Sequence, residues 1–311
     1  MIRVTSAVVM AGALVAAPPA VAQSGQVRAI TPTEKQQGAT ANPQLIKEFG
    51  GAYTGPQAAY VERVGKKIAV QSGLSRSGSD FTVTTLNSPI ENAFAIPGGY
   101  IYITRQLLAL MNSEDELASV LGHEVAHVAA RHSASRNKRA TIGSILAAGA
   151  GILTGSDLAS RAVSTGAQLY TLRYGREQEY QADSLGIRYM TTADYDPYAS
   201  AYILDALDAS TKLAAQAAGQ SGRSVPTWAS THPNGQDRVN RAYSLAEQTG
   251  RKPTPSSQQD TTFLRMLDGL PYGAVDSKTV IRIVTVGPQD TIASLAARMR
   301  GQQLPRERFL T

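Results

Sequence analysis

With 311 residues the chain can bury a full core and accommodate one large domain with a smaller addition. It contains no cysteine, which excludes a disulfide framework and a lipid-attachment thiol. A formal charge of +6, with no aromatic-basic patch, argues against nucleic acid as a partner and is compatible with loose attraction to anionic envelope surfaces.

Residues 1–22 combine Arg3, an Ala/Val-rich apolar run, Pro18-Pro19 and the small-x-small triplet Ala20-Val21-Ala22. The run is shorter than the ~20 residues that span a bilayer, so the pattern predicts a cleaved export signal and a soluble protein of a bacterial periplasm. Residues 23–42 are polar, and disorder is expected there. The main domain is expected over 43–250. Within it, 56–73 predicts an amphipathic helix with Tyr60, Val64 and Ile68 at four-residue steps. Residues 81–86 alternate and are rich in β-branched side chains, predicting a strand; 92–96 and 100–103 predict two more around Pro97-Gly98-Gly99. Ser113-Glu114-Asp115-Glu116 is a capping box with early acids that suit the helix dipole. It opens a helix with Leu117, Val120, Leu121, Glu124 and Val128 inward, continuing to about Arg131. The apolar Gly/Ala segment 141–155 is too short to cross a membrane and is expected to be a buried or lid helix. A helix is predicted over 197–218, then a flexible loop over 219–226, then a helix containing Arg238 and Arg241. Residues 251–262 form a linker by composition. In the remaining 263–311, a strand is expected over 279–286 and a capped helix over 287–298.

The chemistry concentrates on the helix opened by Ser113. His123 and His127 stand four residues apart, so their imidazoles share one face and can grip one metal ion. Glu124, beside the first histidine, is positioned as a general base for water that the ion activates. This is the HExxH arrangement, in a chain with only four histidines. Turning His and Glu inward is costly unless a metal satisfies them, which argues for a buried site. Zinc needs a third protein ligand. The other histidines are His132 and His232, so a carboxylate is the better candidate. Over 174–186, Glu179 and Asp183 are again four apart on one helix face; one can coordinate while the other orients a histidine ring. Spacing does not assign the two roles, and Glu177 is a weaker competitor. His132, five residues beyond His127, is expected to face away from the metal in a structural role.

Four blocks occur in order: Asn92-Ala-Phe-Ala-Ile-Pro-Gly-Gly-Tyr, His123-Glu-Val-Ala-His127, Arg176-Glu-Gln-Glu-Tyr-Gln-Ala-Asp183 and Ser230-Thr-His-Pro233. Together they resemble the gluzincin group of CAAX prenyl proteases, HtpX, OMA-type and BepA-like metallopeptidases over residues 43–248. The resemblance implies an α+β, mainly helical zincin-type metallopeptidase domain with a small β-sheet and an HExxH active-site helix. It further implies one Zn²⁺ on His123, His127 and Glu179, with Asp183 behind the ligands and Glu124 as catalytic base. Asn92, Ala93 and Phe94 would form an edge strand that pairs with extended substrate backbone; a plain structural hairpin is the alternative. His232 and Arg238 would be active-site groups opposite the metal helix. Two roles stay open for His232: stabilising the oxyanion, or filling zinc's open position to keep the enzyme latent. The chain departs from the group's pattern at Gly175, where relatives usually carry serine. Residues 279–298 are similar to the start of a LysM-like module, implying contact with cell-wall glycan; the chain stops at Thr311 before a closing strand, so the module is irregular or the chain a fragment. The expected activity is a periplasmic zinc metalloendopeptidase acting on unfolded or misassembled envelope polypeptides, the alternative being a latent zinc-binding chaperone or assembly factor.

Overall fold

The computed structural model describes residues 27–132, 174–217, 228, 231–232 and 235–299. The expected export signal, the apolar segment 141–155 and the loop 219–226 lie outside the described residues.

Period-two patterning sets the sheet. Strands β1 (Thr82–Leu86), β2 (Ala93–Ile96) and β3 (Tyr100–Thr104) lie in the order β1-β3-β2, with β1 parallel and β2 antiparallel to β3. β2 is therefore an edge. Gly98 and Gly99 turn the β2–β3 hairpin at φ 100° and 88°, a conformation that side chains rarely adopt. One sheet face (Val83, Ala93, Ala95, Ile101, Ile103) enters the main core; the other (Leu86, Ile96, Tyr102) faces a smaller cluster.

The main core is helical. Helix α1 spans Pro32–Glu48 and α2 Pro56–Ala69, which buries Val61, Val64 and Ile68. The short α3 (Arg105–Leu108) leads to α4 (Glu114–Ala129), almost wholly buried in the centre of the molecule. Helices α5 (Arg176–Thr192) and α6 (Ala199–Ala217) pack beside it, and α7 (Gln236–Gln248) packs on both of them. Short helices α8 (Pro255–Gln258), α9 (Thr261–Leu267) and α10 (Ile292–Ala296) follow.

Three expectations need correction. First, disorder over 23–42 gives way to α1 from Pro32 onward. Thr31 and Glu34 form a reciprocal capping box with Pro32 in the first turn. Ala41, Leu45 and Phe49 cover the outer sheet face, the latter two contributing about 2 kcal/mol each by burial. Second, the 251–262 linker is strapped to the main domain. The Thr254 amide donates to Asp196, Ser113 donates to the Ser257 carbonyl, and the Asp260 amide donates to the Asn112 carbonyl. Third, 263–299 is not packed as a separate unit. Phe263, Leu267 and Leu270 belong to the main core, and the buried Arg105 guanidinium holds the carbonyls of Pro271 (2.9 Å) and Gly273 (2.6 Å). The strand expected over 279–286 reduces to a short pairing with 269–272, leaving Val284 and Val286 exposed for want of a partner. A LysM-like unit is not formed among the described residues, and nothing here supports glycan contact.

Candidate metal centre

Glycine sets how closely the two chemically active helices approach. A Cβ on Gly186 of α5 would stand 3.2 Å from the His123 amide nitrogen, closer than side chains ordinarily approach. Without side chains at the crossing, α5 lays Glu179 and Asp183 directly against His123.

The two acids take different places. Asp183 Oδ1 lies 2.9 Å from His123 Nδ1, which fixes the proton on that nitrogen and turns the Nε2 lone pair inward. Glu179 points at the inner nitrogens, 3.5 Å from His123 Nε2 and 3.6 Å from His127 Nε2. Glu177, exposed at the start of α5, does not reach the group. His232 Nδ1 stands 3.2 Å from His123 Nε2 and 3.2 Å from Glu179 Oε1, and the two inner nitrogens of His123 and His127 are 2.9 Å apart. A tetrahedral zinc with bonds of 2.0–2.2 Å sets its ligand atoms about 3.4 Å apart. These separations bracket that edge, so the donor set of His123, His127, Glu179 and His232 fits the ion. All four side chains are buried.

Glu124 is 1% exposed, and its Oε1 has no hydrogen-bond partner among the described residues. That oxygen is 3.6 Å from His232 Nε2. Burial raises its pKa, against the pull of His232 and His123. For Glu179, burial works the same way, but His232 and His123 outweigh it and hold the carboxyl well below the usual range.

Arg238 was expected across the metal from α4; it lies behind the acids instead. Its guanidinium clamps Asp183 through Nε (2.8 Å) and Nη2 (2.7 Å) and reaches Glu179 Oε2 through Nη1 (2.9 Å). These buried charge-assisted contacts brace both carboxylates.

His132 also departs from expectation. Helical periodicity does not reach it, because α4 ends at Ala129 and Arg131 adopts φ 55°. This left-handed residue brings the buried His132 ring back under His127, Nδ1 to Nδ1 at 2.8 Å. Arg131 is held there by Glu34 of α1 and by the Arg28 carbonyl at 3.0 Å.

Asn92, Ala93 and Phe94 sit at the head of the edge strand. The Asn92 carbonyl accepts from the Thr104 amide at 2.9 Å, and Phe94 stacks on Tyr102 at 4.7 Å. Beside them the Trp228 amide donates to the Glu91 carbonyl at 3.1 Å, and the indole stacks on His232 at 4.3 Å. Tyr174 stacks on His127 with ring centroids 3.7 Å apart. The sequence reading passed over Trp228 and Tyr174; their signal was proximity to His232 and to the acidic helix.

The model of peptidase family M48 matches residues 56–246, more than half of the chain. The mitochondrial metalloendopeptidase OMA1 of Schizosaccharomyces pombe is 32% identical over 213 residues, covering 67% of this chain and 59% of the relative. The beta-barrel assembly-enhancing protease of Yersinia pestis is 29% identical over 253 residues, covering 78% of this chain and 50% of the relative. The chain thus spans between half and three fifths of the length of these relatives.

Proposed function

The chain is a member of peptidase family M48, and on that premise we propose that it is a zinc-dependent metalloendopeptidase cleaving misfolded or misassembled proteins of the cell envelope. The observation that carries the reading is the set of four donor atoms at tetrahedral separations beside the buried Glu124 Oε1, which takes no hydrogen bond among the described residues. His123, His127 and Glu179 would hold the ion. When bound, zinc supplies a Lewis acid that polarises the scissile carbonyl and makes water acidic enough to attack near neutral pH. Glu124 takes the proton from the attacking water. It then delivers that proton to the departing amine nitrogen as the C–N bond breaks. Asn92, Ala93 and Phe94 would align the substrate backbone along the β2 edge.

His232 joins the ligand group with its Nδ1 3.2 Å from both His123 Nε2 and Glu179 Oε1, its ring stacked on Trp228. That position favours a closed resting form in which His232 excludes water and substrate until it withdraws. A self-inhibited enzyme also suits a compartment where unfolded polypeptides are in transit. The periplasm is supported by the leader pattern of residues 1–22; the Yersinia relative is named for beta-barrel assembly, and the OMA1 relative is named mitochondrial. Among the described residues no helix is long and apolar enough to cross a membrane.

The test is casein hydrolysis by wild type beside Glu124→Gln, with zinc content measured on both. Glu124→Gln should retain zinc and lose hydrolysis, because the amide is nearly isosteric but cannot accept the proton. Undiminished proteolysis by the variant would overturn the mechanism.

A further inference from the structure

A histidine ligand must present a lone pair on one nitrogen, and its other nitrogen decides whether it does. For His123 that decision belongs to Asp183, whose carboxylate accepts the Nδ1 proton. Among the described residues no acid meets His127 Nδ1; His132 does, 2.8 Å away. We propose that His132 is a positioning residue for His127, the neutral counterpart of Asp183 on the second ligand.

The hydrogen bonds run in one direction. Gln181 of α5 turns its Oε1, which can only accept, to His132 Nε2 at 2.9 Å. The His132 proton therefore sits on Nε2, and its Nδ1 is an acceptor. That acceptor takes the proton of His127 Nδ1, so the His127 Nε2 lone pair faces His123 Nε2 and Glu179. The reverse polarity would put a proton on His127 Nε2 and spoil it as a ligand. The ring plane is fixed as well: Tyr174 stacks on His127 at 3.7 Å and 22°, while His132 meets it nearly edge-on at 72°. Face and edge contacts together leave the imidazole little rotational freedom. The arrangement depends on the left-handed Arg131, which the Glu34 carboxylate of α1 holds in place. The helix over 32–48 thus reaches the metal centre through one turn of chain.

This inference rests on the zinc-peptidase reading, and the experiment separates the two. Zinc affinity is measured by chelator competition for wild type, His132→Phe, His132→Asn and Gln181→Leu, together with the absorption spectrum of the Co²⁺-loaded proteins and the melting of the metal-free proteins. Phe keeps the bulk and removes both nitrogens; Asn keeps an acceptor near the position of Nδ1. His132→Phe should bind zinc ~10–100-fold more weakly, the usual loss for an outer partner of a ligand, with an altered Co²⁺ spectrum. His132→Asn should recover most of that affinity, and the exposed Gln181→Leu, which leaves the buried packing intact, should show a smaller loss of the same sign. The proposal is overturned if wild type binds zinc while His132→Phe binds it equally well. It is also overturned if Asn fails as badly as Phe, with affinity tracking only metal-free melting, since that is a packing role. If wild type itself binds no zinc, the peptidase reading falls and takes this one with it.

Discussion

Replacing Arg238 with methionine tests whether the guanidinium is a brace or a participant. The side chain is 3% exposed and makes three charged contacts, two to Asp183 and one to Glu179. Methionine preserves much of the volume but leaves two buried carboxylates without their cation. Breaking a buried pair from one side costs about 3–5 kcal/mol, which for a domain of this size lowers the melting temperature by roughly 6–20 °C. The sign with pH is definite. Burial pushes the Asp183 carboxyl up, but Arg238 and His123 outweigh it and hold it below the ordinary value. In wild type its contribution is therefore present above the unfolded carboxylate pKa of about 4 and disappears as pH falls through the lower folded value. Without Arg238 the largest cation is lost and burial gains weight, so the folded pKa rises. Protonating Asp183 then relieves the variant, and its deficit should shrink between pH 7 and pH 5. Urea and thermal unfolding of the chelator-treated proteins at both pH values measure this. A deficit under ~1 kcal/mol at pH 7, or one unchanged at pH 5, would refute the brace.

Glu179→Ala should strip zinc from the protein, whereas Asp183→Asn should weaken binding only ~10–100-fold; metal content after dialysis decides, and normal zinc in Glu179→Ala with loss in Asp183→Asn would exchange the two roles. His232→Ala should raise casein hydrolysis or self-cleavage with zinc retained, since it removes the group closing the site. A fall of ~10²–10³-fold in kcat with zinc retained would instead assign His232 to the oxyanion.

Most of the reacting set was legible because it is written in single helical turns. His123 and His127 on α4, and Glu179 and Asp183 on α5, each lie four residues apart, and that spacing alone puts them on one face. What spacing could not supply was which acid meets which atom. That depends on the crossing of α4 and α5, where Gly186 lets the two backbones approach: a Cβ there would stand 3.2 Å from the His123 amide nitrogen. Arg238 was placed correctly on its helix but given the wrong neighbours, for the same reason.

The misreadings share a physical cause: hydropathy was read where hydrogen bonding decided the structure. Helix α1 looks polar, yet Thr31-Pro32-Thr33-Glu34 carries a complete helix start, and only a few apolar side chains were needed to seat it on the sheet. The segment 251–262 has the Pro/Ser composition of a linker, but its amides and carbonyls are taken up by Asp196, Ser113 and Asn112. At His132 the helical pattern was extrapolated one turn too far. A single left-handed residue, Arg131, turns the His132 side chain back toward His127. For a residue such as arginine that conformation costs of order 1–3 kcal/mol and persists only where neighbours over-determine it. Here Glu34 and the Arg28 carbonyl do so from 97 and 103 residues away in sequence. The two errors at 23–42 and at His132 are therefore one error. The N-terminal segment had to be recognised as folded before the left-handed Arg131, and with it the support beneath His127, could be inferred.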